Sequence, residues 1–219
     1  MKVVLFGASG MIGQGVLREC LLDPEVESVV AIVRSATGQS HPKLREVVHR
    51  DFTDFSGLES DLSGQDACFF CLGVSSVGMK EADYRRVTYD FTMAAARLLA
   101  RLNSGMTFVF VSGAGTDSSE RGRSTWARVK GQTENALLKL PFKAAYMFRP
   151  GVIVPLHGIR SRTGVYRLAY AVARPLLPLL KAVFPKSVTT TESLGRAMIK
   201  VARDGAAKPV LESSDINQL

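Results

Sequence analysis

Lys2-Val3-Val4-Leu5-Phe6-Gly7-Ala8-Ser9-Gly10-Met11-Ile12-Gly13 opens the chain, and its reading decides the fold. A short apolar run with β-branched residues reads as a buried strand, and it ends abruptly in a glycine turn. Val16, Leu17, Cys20 and Leu21 then recur at helical spacing until Asp23-Pro24 stops the helix. Glycines at 7, 10 and 13 allow a tight turn, close backbone approach to a diphosphate, and a helix N-terminus that carries partial positive charge. The pattern predicts a nucleotide-binding unit in which Gly7, Ala8, Ser9, Gly10, Met11, Ile12 and Gly13 lie against the ligand. The alternative, an ordinary strand-to-helix turn, has little need of three glycines at this spacing.

Beyond this unit, apolar runs at 29–33, 47–51, 68–72, 107–111 and 144–148 read as strands. They alternate with helical patterns over 81–102, 124–140 and 191–203. Strands apolar on both faces, alternating with helices, predict an α/β fold: a Rossmann-like doubly wound parallel sheet with a small C-terminal helical elaboration. The 219 residues are 46% hydrophobic and 22% charged, which describes one domain over 1–219 and excludes disordered, collagenous and disulfide-scaffold classes. Residues 152–190 read as an elaboration on the carboxyl edge of the sheet, where open α/β sheets bind ligands.

Three cysteines and no secretory h-region predict a reducing, cytoplasmic setting. Cys68 and Cys71, three apart on a strand, point to opposite faces and read as small buried hydrophobes; His41, His49 and His157 lack ligand spacing, so no metal is expected. Of the net charge of +8, residues 151–219 supply +6. Within them, Arg167, Arg174 and Lys181 recur every seven residues along an otherwise apolar stretch. Two readings of 160–186 stand: a lid whose apolar face completes a small-molecule pocket, or a basic amphipathic face that meets an anionic membrane surface. Pro175, Pro178 and the charges argue against a membrane span, and no helix-turn-helix or stacking motif points to nucleic acid. Homo-oligomerisation stays open.

The end of the second strand normally carries an acidic residue for the adenosine ribose diol. Here it carries Arg34, which cannot accept a hydrogen bond but can pair with a 2′-phosphate, predicting NADP(H) in preference to NAD(H). The alternative for Arg34 is a solvated surface side chain. Asp51 and Phe52 are expected beside the adenine, and Cys71, Leu72 and Gly73 along the ribose.

Nearly the whole chain resembles the atypical short-chain dehydrogenase/reductases of the NAD(P)-dependent epimerase/dehydratase type, among them the small bacterial relatives of the Tat-interacting-protein oxidoreductase and the NmrA-like proteins. The resemblance rests on GASGMIG at 7–13, CLG at 71–73, FVFVSGAG at 108–115, the lysine of WARVKGQTE, and FRPGVIVP at 148–155. It implies an oxidoreductase in which a tyrosine four residues before a lysine exchanges a proton with the substrate oxygen, the lysine holds the nicotinamide ribose, and a serine follows the fifth strand.

The matching positions hold Ser112, Trp126 and Lys130. An indole N–H donates a hydrogen bond but does not exchange its proton usefully, so Trp126 cannot replace the tyrosine. Lys130 either holds the ribose or pairs with Glu134 four residues on. Ser112 either orients a carbonyl or caps the turn at 113–115. Thr88 stands where the resemblance implies a relay asparagine; Tyr84 and Tyr89 reach the pocket or pack in the helix. Pro150, Gly151 and Val152 are expected at the nicotinamide end. These positions predict reduction of a small carbonyl or enone or, if the missing tyrosine abolishes turnover, a protein that senses NADP(H) and regulates a partner.

Overall fold

A computed structural model describes residues 1–159 and 187–219. Its core is a seven-stranded, wholly parallel sheet in the order β3-β2-β1-β4-β5-β6-β9. The strands are β1 (Lys2–Phe6), β2 (Ser28–Val33), β3 (Leu44–Val48), β4 (Ala67–Phe70), β5 (Thr107–Val111), β6 (Ala144–Arg149) and β9 (Val210–Glu212). A separate parallel pair, β7 (Val152–Val154) and β8 (Val188–Thr190), lies outside it. The helices are α1 (Met11–Leu22), α2 (Glu59–Leu62), α3 (Glu81–Arg85), α4 (Phe91–Leu102), α5 (Thr125–Leu137), α6 (Thr191–Asp204) and α7 (Ser213–Ile216).

β1 is an interior strand, and both of its faces are apolar. Val3 pairs with Val29 on one side and Ala67 on the other, so the chain reverses its direction of travel across the sheet beside β1. At such a switch point the carboxyl ends of the strands open a crevice. The two-residue period of the strands divides the core. Val3, Leu5, Ala31, Phe69 and Val109 pack with α1 and α6 on one face. Val4, Phe6, Ile32, Phe70 and Phe108 pack with α4 on the other. Phe6, Phe70 and Phe108 form a stack with centroids 5.0 and 6.0 Å apart, and burial of each ring contributes about 1.5–3 kcal/mol. Cys68 belongs to this second layer and Cys71 packs against the first, as strand alternation requires.

On the first face, α1 and α6 cross closely at two glycines. A Cβ on Gly15 would lie 2.6 Å from the Cβ of Thr191, and one on Gly195 2.8 Å from Cγ of Glu19. Glu19, buried at the crossing, accepts from Arg18 at 2.5 Å and Arg196 at 3.1 Å.

The structure corrects several boundaries. β3 starts three residues earlier than the pattern predicts, because Arg45 and Glu46 interrupt its apolar run at the sheet edge. The helical pattern over 81–102 is continuous but contains a π-helical segment, Arg86–Asp90, in which Phe91 N donates to Arg86 O. The helix 191–203 does not close the chain: β9 follows it and extends the main sheet along β6. Residues 160–186, including the basic apolar stretch read as a lid or membrane-facing segment, lie outside the described residues. Among the described residues, no helix is long and apolar enough to cross a membrane.

Candidate functional site

The turn after β1 is built from contacts that only glycine permits. Gly7 has φ +82°, and a Cβ there would stand 2.6 Å from Leu72 N. A Cβ on Gly13 would fall 2.0 Å from Gly7 O. Gly10 N donates to Gly7 O at 2.9 Å, closing the turn, and Gln14 Nε2 braces it by donating to Ser9 O at 3.0 Å. Gly10 caps α1 without a side-chain hydrogen bond, and the first turn carries no acidic residue. The leading N–H groups and the positive end of the helix dipole are therefore available to an anion, with backbone rather than side chains lining the approach. Ala8 is the exception among the loop side chains in being fully buried: its methyl joins the core, so only its backbone faces outward.

Arg34 is exposed immediately after β2 and has no ion-pair partner among the described residues. Asp51 is exposed; Thr53 donates to it from Oγ1 at 2.5 Å and from N at 2.9 Å, and these bonds hold its carboxyl below the usual range. Phe52 does not offer its ring to a ligand: it is 4% exposed and packs on Phe55 and Phe91 at 5.5 and 6.0 Å. Leu72 N and the Cys71 carbonyl lie against Gly7, while the Cys71 side chain packs against the core, where burial raises its thiol pKa.

At the other end of the crevice, Trp126, Lys130 and Glu134 share one face of α5 at four-residue spacing. The Lys130–Glu134 pair, read as the alternative to ribose holding, does not form among the described residues. Glu134, 1% exposed, accepts instead from Arg149 Nε at 3.0 and 3.2 Å and from Arg149 Nη2, while Ser112 Oγ lies 2.5 Å from Glu134 Oε1. Arg149 also reaches Ser118 Oγ at 2.5 Å and Glu212 Oε1 at 3.4 Å, and its hydrogen bonds to Glu134 raise its pKa. One buried ion pair thus ties the ends of β5, β6 and β9 to α5. The Ser112 Oγ donates to Glu134 Oε1 and sits 3.1 Å from Phe148 O, rather than capping the turn at 113–115.

Lys130, half-buried, donates to Val111 O at 3.3 Å, with its ammonium 5.5 Å from the centre of the Phe110 ring. Burial pushes its pKa down to about 8, against an upward pull from Glu134. Trp126 lies over Gly115, where a Cβ would be 3.5 Å from the indole Cη2. Pro150 O accepts from Ala114 N at 2.9 Å, joining the turns after β5 and β6. Gly151 N donates to Ser213 Oγ at 2.6 Å, and a Cβ at Gly151 would stand 2.6 Å from Ser187 O. Gly151 is thus a packing glycine, and Val152 beside it is exposed.

Thr88, at the position of the relay asparagine, is buried in the π-helical segment, and of the two tyrosines read as reaching the pocket or packing in the helix, Tyr84 is 2% exposed. Tyr89 stacks under the Arg85 guanidinium at 4.3 Å and lines a groove of about 520 Å³ with Gln132, Asn135 and Lys139, on the opposite face of α5 from Lys130. The sequence reading missed Arg149 as Glu134's partner and Ser213 as Gly151's. FRPG at 148–151 contains the arginine, but nothing in its local spacing shows a partner 15 residues away on another element.

A protein named "fmp52-2, mitochondrial" from Aspergillus oryzae is 26% identical to the chain over 228 residues, covering 98% of this chain and 95% of the relative. "Protein HTATIP2" from Rattus norvegicus is 28% identical over 156 residues, covering 70% and 63%. Among solved structures, the Bordetella bronchiseptica enzyme WbmF in complex with NAD+ superposes with a TM-score of 0.69 at 14% identity, covering 99% of this chain and 76% of that chain. An oxidoreductase of the short-chain dehydrogenase/reductase family from Burkholderia thailandensis gives 0.67 at 15% identity, covering 99% and 92%. These structures share the fold. The expected cytoplasmic setting is corrected by the relatives, since those from Aspergillus oryzae, Eremothecium gossypii, Chaetomium globosum and Emericella nidulans are all named mitochondrial. Cysteine usage and a missing secretory signal separate reducing from oxidising compartments, but not one reducing compartment from another. The NAD(P)H-binding family model matches residues 7–140, more than half of the chain and the stretch that holds the glycine turn, Arg34 and Lys130, and the chain belongs to that family.

Proposed function

We propose that the protein is an NADP(H)-dependent oxidoreductase acting on a small carbonyl or enone. The observation that carries this reading is the glycine turn: Gly7 and Gly13 are packed so closely against backbone that a side chain at either would force the turn apart, and with it the backbone cradle a diphosphate needs. When bound, the reduced dinucleotide supplies a hydrogen and its electron pair. The chain supplies the rest: backbone N–H groups at the start of α1 hold the diphosphate, Arg34 pairs with the 2′-phosphate, and Lys130 donates to the nicotinamide ribose. Pro150 and Val152 border the nicotinamide end. The test is oxidation of NADPH by the purified protein against a panel of aldehydes, ketones and enones. Turnover with at least one supports the reading, and tight NADPH binding without turnover contradicts it.

A second reading, an NADP(H) sensor that regulates a partner, is favoured by one arrangement. Trp126 has no proton to exchange, and the Ser112 hydroxyl is engaged by Glu134. A binding protein has no need of either group.

A further inference from the structure

Resting on the oxidoreductase reading, we propose that Lys130 is the catalytic proton donor, delivering a proton from its ammonium directly to the substrate oxygen. Alternatives at this edge are removed by their contacts. The indole of Trp126 does not release a proton, and Ser112 Oγ is 2.5 Å from a carboxylate that already pairs with Arg149. Tyr84 is buried, and Tyr89 lies across α5 beneath Arg85. Asp117, in the turn after β5, accepts from Ser119 and Gly122, and these bonds hold its carboxyl ionised. Of these groups, Lys130 is the one that keeps a transferable proton.

Its surroundings suit the task. The Glu134 carboxylate, which would otherwise hold the lysine protonated, is taken up by Arg149. Lys130 Nζ has three N–H bonds and, among the described residues, one protein acceptor, Val111 O at 3.3 Å, which leaves two: one for a ribose hydroxyl and one for the substrate oxygen. From α5 it faces Glu134, from β5 the Phe110 ring and the Val111 carbonyl, and from β6 Arg149 acts only through its pairing with Glu134. Burial brings Lys130 to about 8, so it is protonated at neutral pH yet releases its proton far more readily than a solvated lysine.

The step balances. The carbonyl carbon accepts a hydrogen with its electron pair from the reduced dinucleotide, which is oxidised. The C=O π pair moves to oxygen, and that oxygen takes a proton from Nζ. The neutral amine is then reprotonated by water.

Two measurements test this. Acylation of Lys130 in the cofactor-free protein, followed by mass spectrometry across pH, should show a midpoint about 2 pH units below the ordinary lysine value of about 10.4. The variant Lys130→Arg keeps a cation for the ribose but cannot release a proton, so it should bind NADPH within about threefold of the native protein and lose at least ~100-fold in kcat. A labelling midpoint at the ordinary value, or Lys130→Arg turning over within about tenfold of native, overturns the proposal while leaving an active oxidoreductase. Native protein that binds NADPH and reduces nothing overturns the oxidoreductase reading itself, and the donor role with it.

Discussion

Glu134 and Arg149 form a buried ion pair beneath the ends of β5 and β6, and this pair leaves Lys130, one turn earlier on α5, with a backbone carbonyl in place of a carboxylate. The ion pair fixes the frame, and the lysine is the group that the proposed reaction assigns to the ligand.

Removing one member of the pair should be costly. Glu134→Ala leaves a guanidinium that is only 12% exposed with Ser118 and the more distant Glu212 carboxylate as its partners, and the expected loss is about 3 kcal/mol in urea unfolding. The double variant Glu134→Leu with Arg149→Met should recover most of that loss, because two apolar side chains carry no desolvation penalty. A double variant as unstable as Glu134→Ala would show that the network to Ser112, Ser118 and Glu212 matters more than the pair.

Lys130 should cost stability at neutral pH. Its folded pKa of about 8 lies below the unfolded value near 10.5, so the unfolded chain binds the proton more tightly. The stability of the cofactor-free protein is therefore reduced below pH 8 and rises as pH climbs from about 8 toward the unfolded value. Lys130→Met should raise the melting temperature at pH 7 by a few degrees and flatten this rise. A lower melting temperature for Lys130→Met would contradict the burial argument.

The three loop glycines should differ in what they tolerate. A Cβ at Gly10 meets Gly7 O only at 3.4 Å, whereas at Gly13 it would fall 2.0 Å from the same atom. Gly10→Ala should thus leave the melting temperature nearly unchanged while weakening NADPH binding by about tenfold or more, because the methyl projects from the turn that meets the diphosphate. Gly13→Ala should destabilise the fold itself. Equal effects of both variants on stability would count against the close-approach account.

Trp126→Tyr would place a phenol on the α5 face it shares with Lys130. If the rest of the site is intact, the variant should create or raise carbonyl reductase activity, read as NADPH oxidation on the same panel of carbonyls. No gain on any of them would argue that Trp126 does not occupy the acid position.

The first βα unit and the central strands were legible because their signals are local: a buried strand with β-branched residues, three glycines at fixed spacing, and a stop at Asp23-Pro24. Thr107–Val111 is uniformly apolar and was bounded without error for the same reason. β3 was displaced because an edge strand buries little, and its Arg45 and Glu46 break the apolar run. β7, β8 and β9 span three residues each, too few for any period to show. In the site, the position of Arg34 follows from its place after β2. The pairing of Ser112 and Arg149 with Glu134 does not, because it joins residues 22 and 15 positions apart on three elements. Gly15 and Gly195 were equally silent, since a helix glycine that allows a close crossing looks in sequence like any other.

Titration of the purified protein with NADPH and NADH, followed by nucleotide fluorescence, tests the central claim most directly. The account predicts one saturable site per chain, with NADPH at least ~10-fold tighter than NADH and that preference lost in Arg34→Ala. Failure of both nucleotides to bind would contradict the glycine cradle, and a preference that survives Arg34→Ala would contradict the role given to Arg34.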